Sequence, residues 1–80
     1  MTPIQEVIIE VLGRERLTTD QITRKLETME DPPPGIGYYS FYVGNYVTVA
    51  RELNTGHMAG LFGKSFINDG NYRYWVTGDE

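Results

Sequence analysis

The chain has no cysteine, which excludes a disulfide framework, a thiolate nucleophile and any Cys-ligated zinc. Its single histidine, His57, excludes a multi-His metal site. Ser40 or Ser65 could in principle join His57 and an acid in a triad, but no nucleophile elbow is present. No segment approaches the roughly 18 consecutive apolar residues of a membrane span. No signal peptide opens the chain, so the expected location is the cytoplasm. Cations are scarce too: seven Lys and Arg face eleven acids, a net charge of −4. That balance counts against nucleic acid, where affinity rests largely on cations meeting phosphates.

The charge is unevenly spread. Residues 1–40 hold four cations against seven acids, a net of −3, and two further acids are the last residues, Asp79 and Glu80. From Pro32 to Gly78, three cations (Arg51, Lys64, Arg73) face two acids (Glu52, Asp69), a net of +1. The six Tyr, three Phe and one Trp all fall between Tyr38 and Trp75. That half is expected to hold most of the core and of any binding surface. Eighty residues make one small domain, 1–80, burying only about 60–65% of its unfolded surface. Stability gained from a dimer or another partner is therefore expected.

Thr2 and Gln5 have capping-box spacing and Pro3 fits the first helical position, starting a helix over about 3–12. Ile4, Val7, Ile8, Val11 and Leu12 form its buried stripe, with Ile9 off it, and Gly13 suits a left-handed stop. Thr18 and Gln21 repeat the capping signal after a short bridge and start a helix over about 19–29, with Ile22, Leu26 and Met29 inward. EDPPPGIGYY cannot be helical. It reads as a loop over about 30–39, a polyproline-like spacer with Ile36 tucked into the core or a partner-binding segment. A third helix follows over about 41–54, with weak continuation to Ala59 open. Helical phase puts Val43, Tyr46, Val47, Ala50 and Leu53 inward, Val49 at the edge, and Phe41, Gly44, Asn45, Thr48 and Glu52 outward with Arg51 on the flank. Ser40 is its N-cap. Gly44 implies either a close approach to the backbone or a weak first turn.

Asp69-Gly70 is a strong two-residue hairpin signal inside a hairpin over about 61–77. It sets Ile67 opposite Tyr72, Ser65 opposite Tyr74 and Gly63 opposite Val76. Leu61, Ile67, Tyr72, Tyr74 and Val76 then share the core face, and Phe62, Lys64, Phe66, Arg73 and Trp75 the other. The aromatics of that second face are covered by helix 1 or the Ile36 loop, form a homodimer or partner interface, or stack single-stranded nucleic acid. The fold class is α+β.

Helix, short bridge, helix, turn, helix, hairpin is the element order of winged helix-turn-helix domains. The sequence resembles that family across most of its length. The likeness lies in LTTDQITRKL, VARELN, MAGLFGKS running into Asp69-Gly70, and YRYWVT. The resemblance implies a third helix in the major groove of double-stranded DNA, with the hairpin, or wing, beside it. The candidate contacts are Ser40, Phe41, Asn45, Thr48 and Arg51 on the helix and Lys64 and Arg73 on the wing. Asn45 would bond an adenine edge, Thr48 a base or thymine methyl, and Arg51 a phosphate or guanine. Phe41 would touch a thymine, and the wing cations would meet phosphates. Glu52, on the same face, opposes this. Such a protein would be a small transcription regulator, dimeric to engage two half-sites, without catalysis or a cofactor. The alternative is an acidic module or inhibitor that docks on a protein through helices 1 and 2 and Phe62, Phe66 and Trp75.

Other fragments carry less. Gly63-Lys64-Ser65 ends like a phosphate-binding loop, but Met58 stands where the first glycine is required, and no helix follows. Gly60-Leu61-Phe62-Gly63 matches a GxxG clamp yet runs into a hairpin, as turn chemistry would. Glu27, Glu30 and Asp31 read as a solvated acidic run.

Overall fold

Both capping boxes form, and each starts its helix where the sequence indicates. The computed structural model describes residues 1–37 and 42–78. Thr2 Oγ1 accepts from the Gln5 N–H at 3.1 Å while Gln5 Oε1 accepts from the Thr2 N–H at 2.9 Å. This reciprocal pair opens α1, Pro3–Leu12. The same pair between Thr18 and Gln21, at 3.2 and 2.9 Å, opens α2, Thr19–Glu27. Each cap contributes about 1 kcal/mol by satisfying otherwise orphaned N–H groups. Gly13 takes a φ of 53° where α1 stops. α2 ends at Glu27, earlier than its apolar spacing implies, and the Thr28 hydroxyl donates back to the Arg24 and Lys25 carbonyls. Met29 still packs on the core, from the turn that follows.

Between these helices lies β1, Leu17–Thr18. After the proline-rich segment come α3, Tyr42–Met58, then β2, Phe62–Asn68, and β3, Asn71–Val76. The three strands form an antiparallel sheet in the order β1-β3-β2. Ile4, Ile8 and Leu12 of α1, Ile22 and Leu26 of α2, Val49 and Leu53 of α3, and Phe62 and Tyr74 of the sheet form one buried cluster. Ile36 lies against it, as the loop reading expects. No helix among the described residues is long and apolar enough to cross a membrane.

The hairpin departs from its expected register. Asp69 and Gly70 take φ values of 28° and 82°, as a primed turn requires, and Asn68 pairs with Asn71. Ile67 is then skipped as a bulge, and Phe66 pairs with Tyr72, Lys64 with Tyr74, and Phe62 with Val76. One extra residue moves every side chain of the strand beyond it to the other face. Phe62, expected outside, is therefore core at 1% exposure. Phe66 and Lys64 share its face with Tyr72 and Tyr74, while Arg73 and Trp75 lie on the opposite face with Ser65 and Gly63.

Burial pushes the Tyr74 phenol above its ordinary value of 10.0; Tyr72 and Tyr46 add in the same direction, and a hydrogen bond with Thr19 opposes them. The unfolded chain ionises first, so this tyrosine's contribution is complete below about pH 10 and lost as pH rises toward the higher folded value. Melting temperature should fall through that alkaline window, and Tyr74→Phe should flatten the fall. Parallel curves for the two proteins would exclude this tyrosine as the cause.

Candidate nucleic-acid interface

α3 is rotated from its expected phase. Asn45, Val49, Leu53 and Gly56 face inward at intervals of four, four and three residues. Val43 and Val47, expected in the core, are 76% and 56% exposed. Tyr46 and Ala50 are half-buried on the flank. The cause is polar. Asn45 Oδ1 accepts from the Gly37 N–H at 2.9 Å, and Nδ2 donates to the Gly37 carbonyl at 3.0 Å. Nδ2 also donates to Glu27 Oε2 at 2.9 Å. An amide that pairs with a peptide group and a carboxylate can be buried without an orphaned donor. Asn45 thus joins α3, the proline-rich segment and the end of α2, and its amide does not face outward toward a base.

Glu52 is also turned away from the expected face. Its Oε1 accepts from the Thr2 hydroxyl at 3.0 Å, and its carbonyl accepts from Gln5 Nε2 at 3.2 Å. Gly56 is where β2 meets the helix: a Cβ there would overlap the Phe62 ring. His57 Nδ1 lies 2.8 Å from the Phe62 carbonyl, so this nitrogen donates and the ring closes the helix end onto β2. Among the described residues, nothing lies within 4 Å of a Cβ placed at Gly44, so none of them makes a close approach there.

The outward stripe of α3 is therefore Val43, Val47, Arg51, Asn54 and Met58, all exposed. Thr48 is half-buried at its margin. Ser40 and Phe41 lie outside the described residues. The helix contains one acid, Glu52, so this stripe carries no carboxylate. Its phase was hard to read because Val43, Val47 and Ala50 make an apolar stripe as regular as Val49 and Leu53. The distinguishing signal is Asn45, which belongs inward once Gly37 and Glu27 are its partners.

The bulge divides the hairpin cations. Lys64 Nζ sits 4.6 Å from the Tyr72 ring centroid, on the face where Phe66 meets Tyr72 edge-on at 5.8 Å. Arg73 is exposed on the opposite face. On that face the Arg16 guanidinium lies 4.1 Å from the centroid of the Trp75 ring. The indole rests across Gly63, where a Cβ would overlap it. Of the partner-contact aromatics, Phe62 is core, Phe66 is 65% exposed, and Trp75 is half-buried beneath Arg16.

Gly63-Lys64-Ser65 lies inside β2, without the helix a phosphate loop needs. Glu27, Glu30 and Asp31 line a cleft of about 290 Å³ with Met29, Pro32, Ile36 and Gly37. No group of three or more metal-ligating side chains occurs among the described residues. Compared with known proteins, the chain matches no family model, no curated protein and no solved structure.

Proposed function

We propose that this is a winged-helix domain that binds double-stranded DNA as a small transcription regulator, with the outward stripe of α3 in the major groove. The order α1-β1-α2-α3-β2-β3, with β1 paired to β3, supports the architecture. The observation that carries the DNA reading is the acid-free outer face of α3 in a chain of net charge −4. Glu52, the one acid that would repel phosphates there, is spent on Thr2 and α1. Val43 and Val47 fit apolar contact with thymine methyls, Asn54 offers an amide to a base edge, and Arg51 reaches a guanine or phosphate.

Wild type should bind a pool of random duplexes at low salt, measured by anisotropy. Arg51→Ala should weaken binding about tenfold and lower the salt slope by about 0.9. Val47→Glu, an exposed change outside the core, should remove most of the binding with no loss of melting temperature. No duplex binding at low salt would end this reading.

One feature favours a second reading, a protein-docking module. Val43, Val47 and Phe66 are large apolar side chains at 76%, 56% and 65% exposure, more than phosphate contact needs. Recovery of one defined protein, surviving nuclease and lost with Val47→Glu, would favour it.

A further inference from the structure

Leu17, Phe62 and Tyr74 turn toward the helices, and their neighbours along each strand turn to the other face of the sheet. Extending the Leu17↔Tyr74 pairing by one residue sets Arg16 across from Trp75, which pairs with Gly63; the next row is Thr18, Arg73 and Ser65. These two rows hold two arginines and no carboxylate, in a chain with eleven acids. Arg16, Arg73 and Ser65 are exposed. Neither arginine has an ion pair among the described residues, whereas Arg24 is held by Asp20 at 3.1 Å. The Thr18 hydroxyl is already engaged with Gln21 in the cap of α2.

We propose that this sheet face docks a short acidic segment of a partner protein, with Arg16 and Arg73 each taking a carboxylate beside Trp75. The inference uses no residue of α3 and does not rest on the DNA reading. Arg16 lies over the Trp75 ring, 4.1 Å from its centroid, and an arginine seated on a ring still offers its N–H groups to a carboxylate. A guanidinium already held loses less rotamer freedom on binding than a free one. Gly63 permits this seat, because a Cβ there would overlap the indole. The indole N–H is covered and meets no acceptor among the described residues. Contact with Gly63 and Arg16 therefore places the ring, rather than a hydrogen bond of its own. Tryptophan and arginine are also the side chains enriched at the energetic centres of protein interfaces. Arg16 and Arg73 are diagonal neighbours on adjacent strands, about 7–8 Å apart. That separation is close to the repeat of about 7 Å between alternate side chains of an extended segment. The charge of the chain decides between occupants. A duplex is a continuous polyanion, and its footprint would run past these two rows onto a chain of net charge −4. A second copy of the chain brings the same −4 against it. A short segment confined to the two rows meets the arginines, with charges beyond about 10 Å largely screened at ordinary ionic strength.

Trp75 is the only tryptophan, so its emission reports this face alone. The full chain is titrated at low salt against a labelled peptide alternating glutamate and threonine, reading label anisotropy and Trp75 emission together. Saturable binding is expected, with Trp75 emission changing in step, and none with a matched peptide alternating lysine and threonine. Arg16→Ala and Arg73→Ala should each weaken binding about tenfold, as loss of one charge-assisted pair implies. Arg73→Ala leaves the contact of Arg16 with Trp75 in place, so it tests the face even where Arg16→Ala disturbs the ring. Arg16→Lys, which keeps charge but loses the flat fork, should recover only part of the affinity. Val47→Glu and Arg51→Ala should bind the peptide as wild type does, whatever they do to duplex binding. No binding of the glutamate peptide at low salt, or binding indifferent to both arginines, would overturn the proposal. So would tighter binding of a random duplex pool that is lost in Arg16→Ala and Arg73→Ala, because the face would then serve nucleic acid. Self-association of wild type in sedimentation, lost in the same two variants, would give the face to a second copy and overturn it as well.

Discussion

Asn45→Ala is expected to cost about 2–4 kcal/mol, since it deletes at least three hydrogen bonds and leaves the polar groups of Gly37 and Glu27 without this partner. A domain of this size has about 4–12 kcal/mol of stability in total. The variant should melt roughly 10–20 °C lower, given the entropy of unfolding of so short a chain. Asn45→Asp keeps the shape but sets a second carboxylate against Glu27, so it should be no better at neutral pH and should improve on acidification. The two orientations of this residue make opposite forecasts. An outward Asn45 would leave stability unchanged on truncation and affect only DNA contact. Chemical denaturation of wild type and both variants therefore checks the rotation of α3 directly, and an unchanged midpoint for Asn45→Ala would contradict it.

Phe62→Ala is the second change of comparable size. The ring is fully enclosed between the sheet and Gly56 of α3, and removing such a side chain from a core costs roughly 3–5 kcal/mol. The unfolding midpoint should fall well below that of wild type. Phe66, four residues along the same strand, is mostly exposed, and Phe66→Ala should move the midpoint by only about 0.5 kcal/mol. Without the bulge, both phenylalanines would sit on the face opposite the core. A similar loss of stability in the two alanine variants would contradict the observed pairing.

How much of this was legible in the sequence depends on how local the determining signal is. The two capping boxes and the Asp69-Gly70 turn are settled by residues no more than three apart, and each stands where the residues indicate. The phase of α3 is settled by the fit of Asn45 to Gly37, eight residues away, and to Glu27, eighteen residues away. Its own hydrophobic pattern is two-sided, with Val43 and Val47 as regular as Val49 and Leu53. The hairpin register is settled by one skipped residue, Ile67, in a strand whose faces both carry aromatics, so counting outward from the turn misplaces Phe62. The candidate interface inherits both effects. Arg51 remains outward, Asn45 and Glu52 leave the surface, and Lys64 and Arg73 part to opposite sides of the hairpin. The contact of Arg16 with Trp75 is not legible in the sequence, because the two are distant along the chain and meet only beside the β1–β3 pairing.

The bulge at Ile67 has a consequence for molecules meeting in concentrated solution. Among the described residues β2 is an edge strand of seven residues, long enough to invite another copy to add a strand along its outer side. A skipped residue twists that edge and interrupts the regular spacing of its free N–H and C=O groups, and Lys64 sets a charge within it. The irregularity that turns Phe62 into the core thus also makes the hairpin edge a poorer template for strand addition beside the exposed Phe66.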